Sequence, residues 1–184
     1  MNERLCGIDE AGRGPIAGDL VMAGCILHKN IEGLNDSKKL SAKRREELYK
    51  IIIKNSDYHV EKFSALNIDE KGISACLKQG LENIMQSLQT DNFLFDGNTT
   101  FGVKNLQTMV KADGKIAEVS AASIIAKVVH DNDILIEAKK YPEYQFEKHK
   151  GYGTKLHIEM IKKHGYCDIH RRTYKLKALE GTLF

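Results

Sequence analysis

Four carboxylates stand where apolar runs of the chain stop. Leu5 to Ile8 leads directly into Asp9-Glu10, Asn92 to Phe95 into Asp96, and Leu106 to Lys111 into Ala112-Asp113. Short apolar runs ended by turn residues read as buried strands, so three strands would deliver Asp9, Glu10, Asp96 and Asp113 to their ends. Gathered at one edge of a sheet, such groups repel one another unless cations neutralise them. Magnesium and manganese suit the set, because both take hard oxygen ligands and keep some of their waters. Two such ions, roughly 3.5 to 4 Å apart, can grip a phosphodiester, one activating a water and the other stabilising the leaving 3′ oxygen. Taken singly, Asp96-Gly97 and Asp113-Gly114 also fit plain turns. Recurrence at strand ends favours the metal reading.

Around these acids lie segments suited to a nucleic-acid ligand. Gly12 and Gly14 flank Arg13 directly after the first acid pair, and glycine lets backbone N–H and C=O groups approach a sugar hydroxyl or phosphate. Asp36-Ser37-Lys38-Lys39-Leu40-Ser41 precedes a predicted helix, where its lysines and hydroxyls, Ser37, Lys38 and Lys39 among them, could grip a phosphate or serve only as cap and surface charge. Gly151-Tyr152-Gly153-Thr154 frees an aromatic ring between two glycines, to stack on a sugar or base or to fill a core gap. From Lys139 to Lys177 there are eleven Lys/Arg against four Asp/Glu, interleaved with Tyr141, Tyr144, Phe146, Tyr152, Tyr166 and Tyr174. Basic groups with aromatics between them suit phosphates and base or sugar faces, and an ordinary solvated surface equally.

The elements that must position these groups alternate between strand and helix. Strands are expected at Leu5–Ile8, Leu20–Leu27, Tyr58–Leu66, Asn92–Phe95 and Leu106–Lys111. Ser41 caps a helix over Ala42–Lys54. Asn67 with Glu70 reads as a capping box ahead of Ile73, Leu77, Leu81, Ile84 and Leu88 at helical spacing. Small and branched residues from Ser120 to Lys140 make a largely buried helix, and Thr154–His164 a last one, stopped by Gly165. The fold class is α/β, with a mixed sheet because short loops join the first strands.

At 184 residues, 42% hydrophobic and 29% charged, with two prolines and net charge +3, the chain has the composition of one globular domain, residues 1–184, and not that of a disordered or fibrous chain. No apolar run approaches a membrane span and the N-terminus carries no apolar leader, so a cytoplasmic protein without membrane contact is expected. Cys6, Cys25, Cys76 and Cys167 have neither zinc-ligand spacing nor a disulfide framework and are expected to be buried thiols.

In order along the chain, Gly7-Ile8-Asp9-Glu10-Ala11-Gly12-Arg13-Gly14-Pro15, Asn35-Asp36-Ser37-Lys38-Lys39-Leu40, Asp96-Gly97, Lys111-Ala112-Asp113, Ala121-Ala122-Ser123-Ile124-Ile125-Ala126-Lys127-Val128, Gly151-Tyr152-Gly153-Thr154 and His170-Arg171-Arg172-Thr173-Tyr174 resemble the signature of the ribonuclease HII family. The resemblance implies a ribonuclease H-like mixed five-stranded sheet flanked by helices, with a basic helical C-terminal extension from about residue 139. It implies a catalytic and metal-binding set at Asp9, Glu10, Asp96 and Asp113, served by Mn2+ or Mg2+. Gly12, Arg13 and Gly14 would read the ribose 2′ hydroxyl, Tyr152 would stack on the neighbouring deoxyribose, and Ser37 and Lys38 would lie near substrate phosphates. The implied reaction is hydrolysis of RNA in RNA·DNA hybrids, and incision 5′ of ribonucleotides embedded in duplex DNA, leaving 3′ hydroxyl and 5′ phosphate ends. The alternatives are a DNA junction resolvase on the same fold, or a non-catalytic nucleic-acid-binding module. Type-3 relatives lack the Gly-Arg-Gly form and the junction tyrosine and carry an extra N-terminal domain, so the chain fits type 2, expected as a monomer. Asp19 stands where the family has proline, and His130 where it has arginine. Glu180-Gly181-Thr182-Leu183-Phe184 is similar to tails that bind a sliding clamp, and a frayed or core-docked terminus is the other reading.

Overall fold

Alternate residues of the strand at Leu20–Leu27 face two different cores. Leu20, Met22 and Ile26 point into one cluster, and Val21, Ala23 and Cys25 into the other. A strand covered on both faces needs no polar alternation, which is why this stretch reads as continuously apolar. The computed structural model describes residues 4–175 and contains a five-stranded mixed sheet with helices on both faces. In chain order the elements are β1 (Leu5–Ala11), β2 (Leu20–Leu27), α1 (Ala42–Ile52), β3 (Ser56–Phe63), α2 (Ala65–Lys71), α3 (Ile73–Ser87), β4 (Asn92–Asp96), β5 (Leu106–Met109), α4 (Ala117–Lys140), α5 (Phe146–His149) and α6 (Lys155–His164).

The strands lie in the order β3-β2-β1-β4-β5. β1, β2 and β3 pair antiparallel, whereas β4 lies parallel to β1 and β5 parallel to β4. Helix α3 packs Leu77, Leu81 and Ile84 on one face, and α1 and α4 cover the other with Leu48, Ile52, Ala121, Ala122 and Ile125. Close approach of α4 to the central strand depends on Gly7, since a Cβ there would run into the backbone of Glu118 and Val119. A third cluster, built from Ile16, Ala17, Ile134, Tyr144, Phe146 and Ile161, packs the C-terminal segment against the loop after β1.

Several local expectations shift. β1 continues through Asp9 and Glu10 to Ala11, paired with β2 throughout, so the first acids sit within the strand. β3 ends at Phe63 because Ser64 caps the next helix: its hydroxyl accepts from Asn67 N–H, and the Asn67 side chain accepts from Ser64 N–H. Asn67 is thus the inner partner of the capping box, and Glu70 has no part in it. Gly72, with φ of 82°, separates α2 from α3. β5 stops at Met109, and α4 begins three residues before Ser120. Of the C-terminal aromatics, Tyr144 and Phe146 are core, while Tyr141, Tyr166 and Tyr174 pack against them. Tyr152, 45% exposed, is the one large exposed aromatic of the six, so the stretch is not a row of stacking platforms. The four cysteines are free thiols, buried except for the half-buried Cys167. No helix among the described residues is long and apolar enough to cross a membrane.

Candidate active site

The parallel pairing of β1 with β4 sets the acidic cluster. Ile8 stands opposite Phe95, so the next residues, Asp9 and Asp96, emerge side by side at the same end of the sheet. Asp96 then lies opposite Met109 at the end of β5. Beyond it Lys111 adopts a left-handed conformation (φ 59°) and turns the chain back into a single 3-10 turn, Ala112–Gly114. The turn aims two amides at Asp96: Ala112 N–H donates to Oδ1 at 3.3 Å and Asp113 N–H to Oδ2 at 3.4 Å. The buried Asp113 is thereby carried to the same point, and oxygens of Asp9, Asp96 and Asp113 come within 4.8 Å of one another.

Glu10 joins from the side. It pairs with Arg13 at 3.6 Å, and its Oε2 is buried without a hydrogen-bond partner. Burial is the chief reason that the carboxyls hold their protons abnormally well. It raises Asp9 far above the ordinary range, with the charge of Glu10 adding to it and the Ser123 hydroxyl offsetting part. Burial also raises Glu10, against the pull of Arg13, and pushes Asp113 up to about 6, with help from the charge of Asp96. Crowded acids with elevated pKa values and an orphaned carboxylate oxygen form an environment that lacks positive charge. Hard divalent cations fit it: the donors are all oxygens, at least three converge, and no cysteine or histidine intrudes.

The acids floor a cleft of about 570 Å³ whose rim carries Lys38, Lys39, Lys111 and Lys115. Lys38 stands on this rim. Ser37 is buried beneath it, and its hydroxyl is hydrogen-bonded to Ser123 Oγ at 2.9 Å, which ties the lysine turn to α4. Lys39 belongs to the lysine run ahead of α1 and Lys111 opens the Lys111-Ala112-Asp113 block, whereas Lys115 carries no signal of this place in the sequence. Lysines next to turn residues are too common to single out until the fold places them.

The Gly-Arg-Gly loop leaves β1 beside this cleft. Gly12 has φ of 86°, and a side chain there would strike the Asp19 carbonyl and the His130 ring. The two departures from the family pattern therefore meet behind this glycine. Arg13 lies 5.7 Å from the Phe101 ring centroid. The Tyr152 ring lies against Gly14, at 3.7 Å from where a Cβ would stand, an ordinary contact distance. The loop and the tyrosine turn are also tied through the backbone, with Ile16 N–H donating to the Gly151 carbonyl at 2.9 Å.

The residue that organises this region is one that sequence reasoning misses. Arg171 is 1% exposed, and its guanidinium donates to the carbonyls of Gly12 (2.6 Å), Pro15 (2.8 Å) and Gly18 (2.8 and 3.0 Å), with longer bonds to Arg13 O and Tyr174 Oη. A planar fork with five donors is the side chain that can satisfy several carbonyls of one loop at once. Its only signal in the sequence is its place in the His170–Tyr174 block. Asp69 of α2 anchors the same segment, accepting from the Arg172 and Thr173 amides at 2.8 and 3.0 Å.

Comparison with known proteins agrees with this geometry. The family model for Ribonuclease HII matches residues 6–177. A ribonuclease HII of Sulfurovum sp. (strain NBC37-1) is 60% identical over 181 residues, covering 98% of this chain and 96% of the relative. Among solved structures, the ribonuclease HII in a PCNA complex from Archaeoglobus fulgidus superposes with a TM-score of 0.81 at 31% identity, over 95% of this chain and 96% of that one. The ribonuclease H2 of Pyrococcus horikoshii OT3 does so with a TM-score of 0.75, also at 31% identity, covering 94% of each. Because the match runs from the first strand through the segment that Arg171 anchors, and holds in sequence and in fold alike, the chain belongs to the ribonuclease HII family.

Proposed function

We propose that the chain is a metal-dependent endonuclease that hydrolyses RNA in RNA·DNA hybrids and incises 5′ of ribonucleotides embedded in duplex DNA. The convergence of Asp9, Asp96 and Asp113 at one strand end, beside the Gly-Arg-Gly loop, carries this reading. These three, with Glu10, would hold the divalent ions, magnesium or manganese. The ions would supply Lewis-acid polarisation of the phosphodiester and lower the pKa of the attacking water. The lysines of the rim, Lys38 foremost, would draw in the backbone phosphates and keep the scissile one over the acids.

Selectivity would rest on the other side of the cleft. Gly12, Arg13 and Gly14 offer backbone groups to the ribose 2′ hydroxyl, the group that separates RNA from DNA at a given position. Tyr152, against Gly14 and exposed, would stack on the following deoxyribose and so test for an RNA-to-DNA junction. The products would carry 3′ hydroxyl and 5′ phosphate ends. The PCNA complex of the Archaeoglobus fulgidus neighbour supports a clamp contact through Leu183-Phe184, which lies outside the described residues.

The deciding assay is a duplex with a single embedded ribonucleotide, incubated with magnesium or manganese. A nick 5′ of the ribonucleotide is expected. A folded sample that leaves this duplex intact while cutting all-DNA junctions would overturn the proposal.

A further inference from the structure

Behind Tyr152 lies a group of buried imidazoles that the proposed reaction does not use. His157 and His170 are both buried, and their Nε2 atoms are 3.0 Å apart. A contact this short between two neutral rings requires one to donate and the other to accept, and the surroundings decide which. The Tyr152 carbonyl, 2.9 Å from His157 Nδ1, can only accept, so His157 carries its proton on Nδ1 and its Nε2 is an acceptor. At the far end, His170 Nδ1 lies 2.9 Å from the Cys167 amide, 3.1 Å from the Cys167 thiol and 3.3 Å from the Cys167 carbonyl. The amide is the nearest of the three and can only donate, and burial keeps the thiol protonated, its pKa pushed up to about 11, so acceptance by Nδ1 satisfies its closest partner. His170 therefore accepts on Nδ1 and donates from Nε2.

Both ends impose the same direction: Cys167 N–H to His170, His170 to His157, His157 to the Tyr152 carbonyl. That carbonyl also takes the Thr154 amide at 2.8 Å, and Tyr152 N–H donates to His149 O at 2.9 Å, so the backbone on either side of the tyrosine is fixed. Burial lowers both histidines to about 4, which keeps the rings neutral, as the chain needs. His170 is followed directly by Arg171, so one dipeptide holds the tyrosine turn with one residue and the Gly-Arg-Gly loop with the next.

We propose that His157 and His170 are positioning residues for ribonucleotide selection: their one-way hydrogen-bond chain fixes the Tyr152 backbone, and so sets the ring against the Gly-Arg-Gly loop. This rests on the reading of Tyr152 given above. The test compares cleavage at an embedded ribonucleotide with cleavage of a uniform hybrid for wild type, Tyr152→Ala, His157→Phe and His157→Asn, alongside ¹⁵N NMR of the histidine tautomers. His157→Phe should lower the junction-to-hybrid ratio by about three- to tenfold, the worth of one hydrogen bond, with hybrid turnover little changed. His157→Asn, whose amide N–H can still reach the Tyr152 carbonyl, should keep most of the ratio. The spectra should show His157 protonated on Nδ1 and His170 on Nε2.

A normal ratio in His157→Phe when Tyr152→Ala has lost it overturns the proposal and spares the reading of Tyr152. Equal damage by Phe and Asn overturns it too, as do reversed tautomers, which stay measurable in the wild type should His157→Phe fail to fold. An unchanged ratio in Tyr152→Ala refutes the role of the tyrosine, and this proposal with it.

Discussion

Two buried polar clusters, one on the floor of the cleft and one behind the loop beside it, are built on opposite principles. Around Asp9, Asp96 and Asp113 like charges crowd together, Asp9 and Asp113 are held toward protonation, and Glu10 Oε2 has no partner. Around Arg171 the guanidinium finds carbonyls in several directions, and the His157–His170 chain runs from donor to acceptor without a gap. The first cluster is incomplete as protein and is finished by what binds to it. The second is complete at the guanidinium and along the histidine chain, and its work is to hold a shape. Buried polar groups are costly when unsatisfied and rigidifying when satisfied, so one molecule uses the same physics for affinity at one site and for geometry at the other.

The sharpest break falls on the incomplete cluster. Asp9→Asn or Asp96→Asn should abolish turnover, on the order of a thousandfold or more in kcat, about 4 kcal/mol of barrier, while the protein stays folded. Rates on the embedded-ribonucleotide duplex, with a melting curve for each variant, would check this; retained activity contradicts the metal assignment. In the complete cluster the same kind of change should act on the fold. Arg171→Met strands the carbonyls of Gly12, Pro15 and Gly18 and should cost about 3 kcal/mol of stability, read by denaturant unfolding. Stability within error of wild type would mean that water replaces the guanidinium freely.

A smaller effect runs in the opposite direction. Asp113 has its pKa raised to about 6 from 3.8, so between those values the folded state binds more protons than the unfolded state, and stability at this site falls as pH rises through that window. Asp113→Asn should therefore stabilise the metal-free protein above pH 6, by about 1 kcal/mol once screening in the open cleft is allowed for, and the gain should vanish below about pH 4. Melting in chelator across that range tests it, and magnesium or manganese should restore the wild type more than the variant. The smallest effect is expected from Tyr152→Phe, under about twofold in junction selectivity, because stacking needs the ring and not the hydroxyl. Tyr152→Ala should lose that selectivity. Equal cleavage of junctions and uniform hybrids by wild type as well would contradict this.

The incomplete cluster is legible in the sequence and the complete one is not, for one physical reason. An acid that follows an apolar run is a local event, so the order of residues alone is enough to mark Asp9 and Asp96, although β1 runs on past Asp9 to Ala11. Arg171 and His170 look like surface charge in a basic stretch, because their partners are the backbone carbonyls of Gly12 and Gly18 and a turn at Tyr152, none of which leaves a mark on neighbouring residues. The aromatics of the same stretch mislead in the reverse way, since composition cannot separate a core Tyr144 from an exposed Tyr152. Ser64 is hard to see as a cap because Asn67, three residues later, looks the better one, and the two are in fact partners.

The bond from Arg171 to the loop at Gly12 spans 159 positions of the chain, and it bears on the order in which the protein is made. Strands β1, β4 and β5 and the Asp113 turn all lie within the first 114 residues. A chain emerging from the ribosome thus presents all four acids before residue 171, but one face of their sheet stays uncovered until α4 follows, and a domain folds as a unit. The acids that would cut therefore emerge ahead of the arginine that holds the loop proposed to choose what is cut.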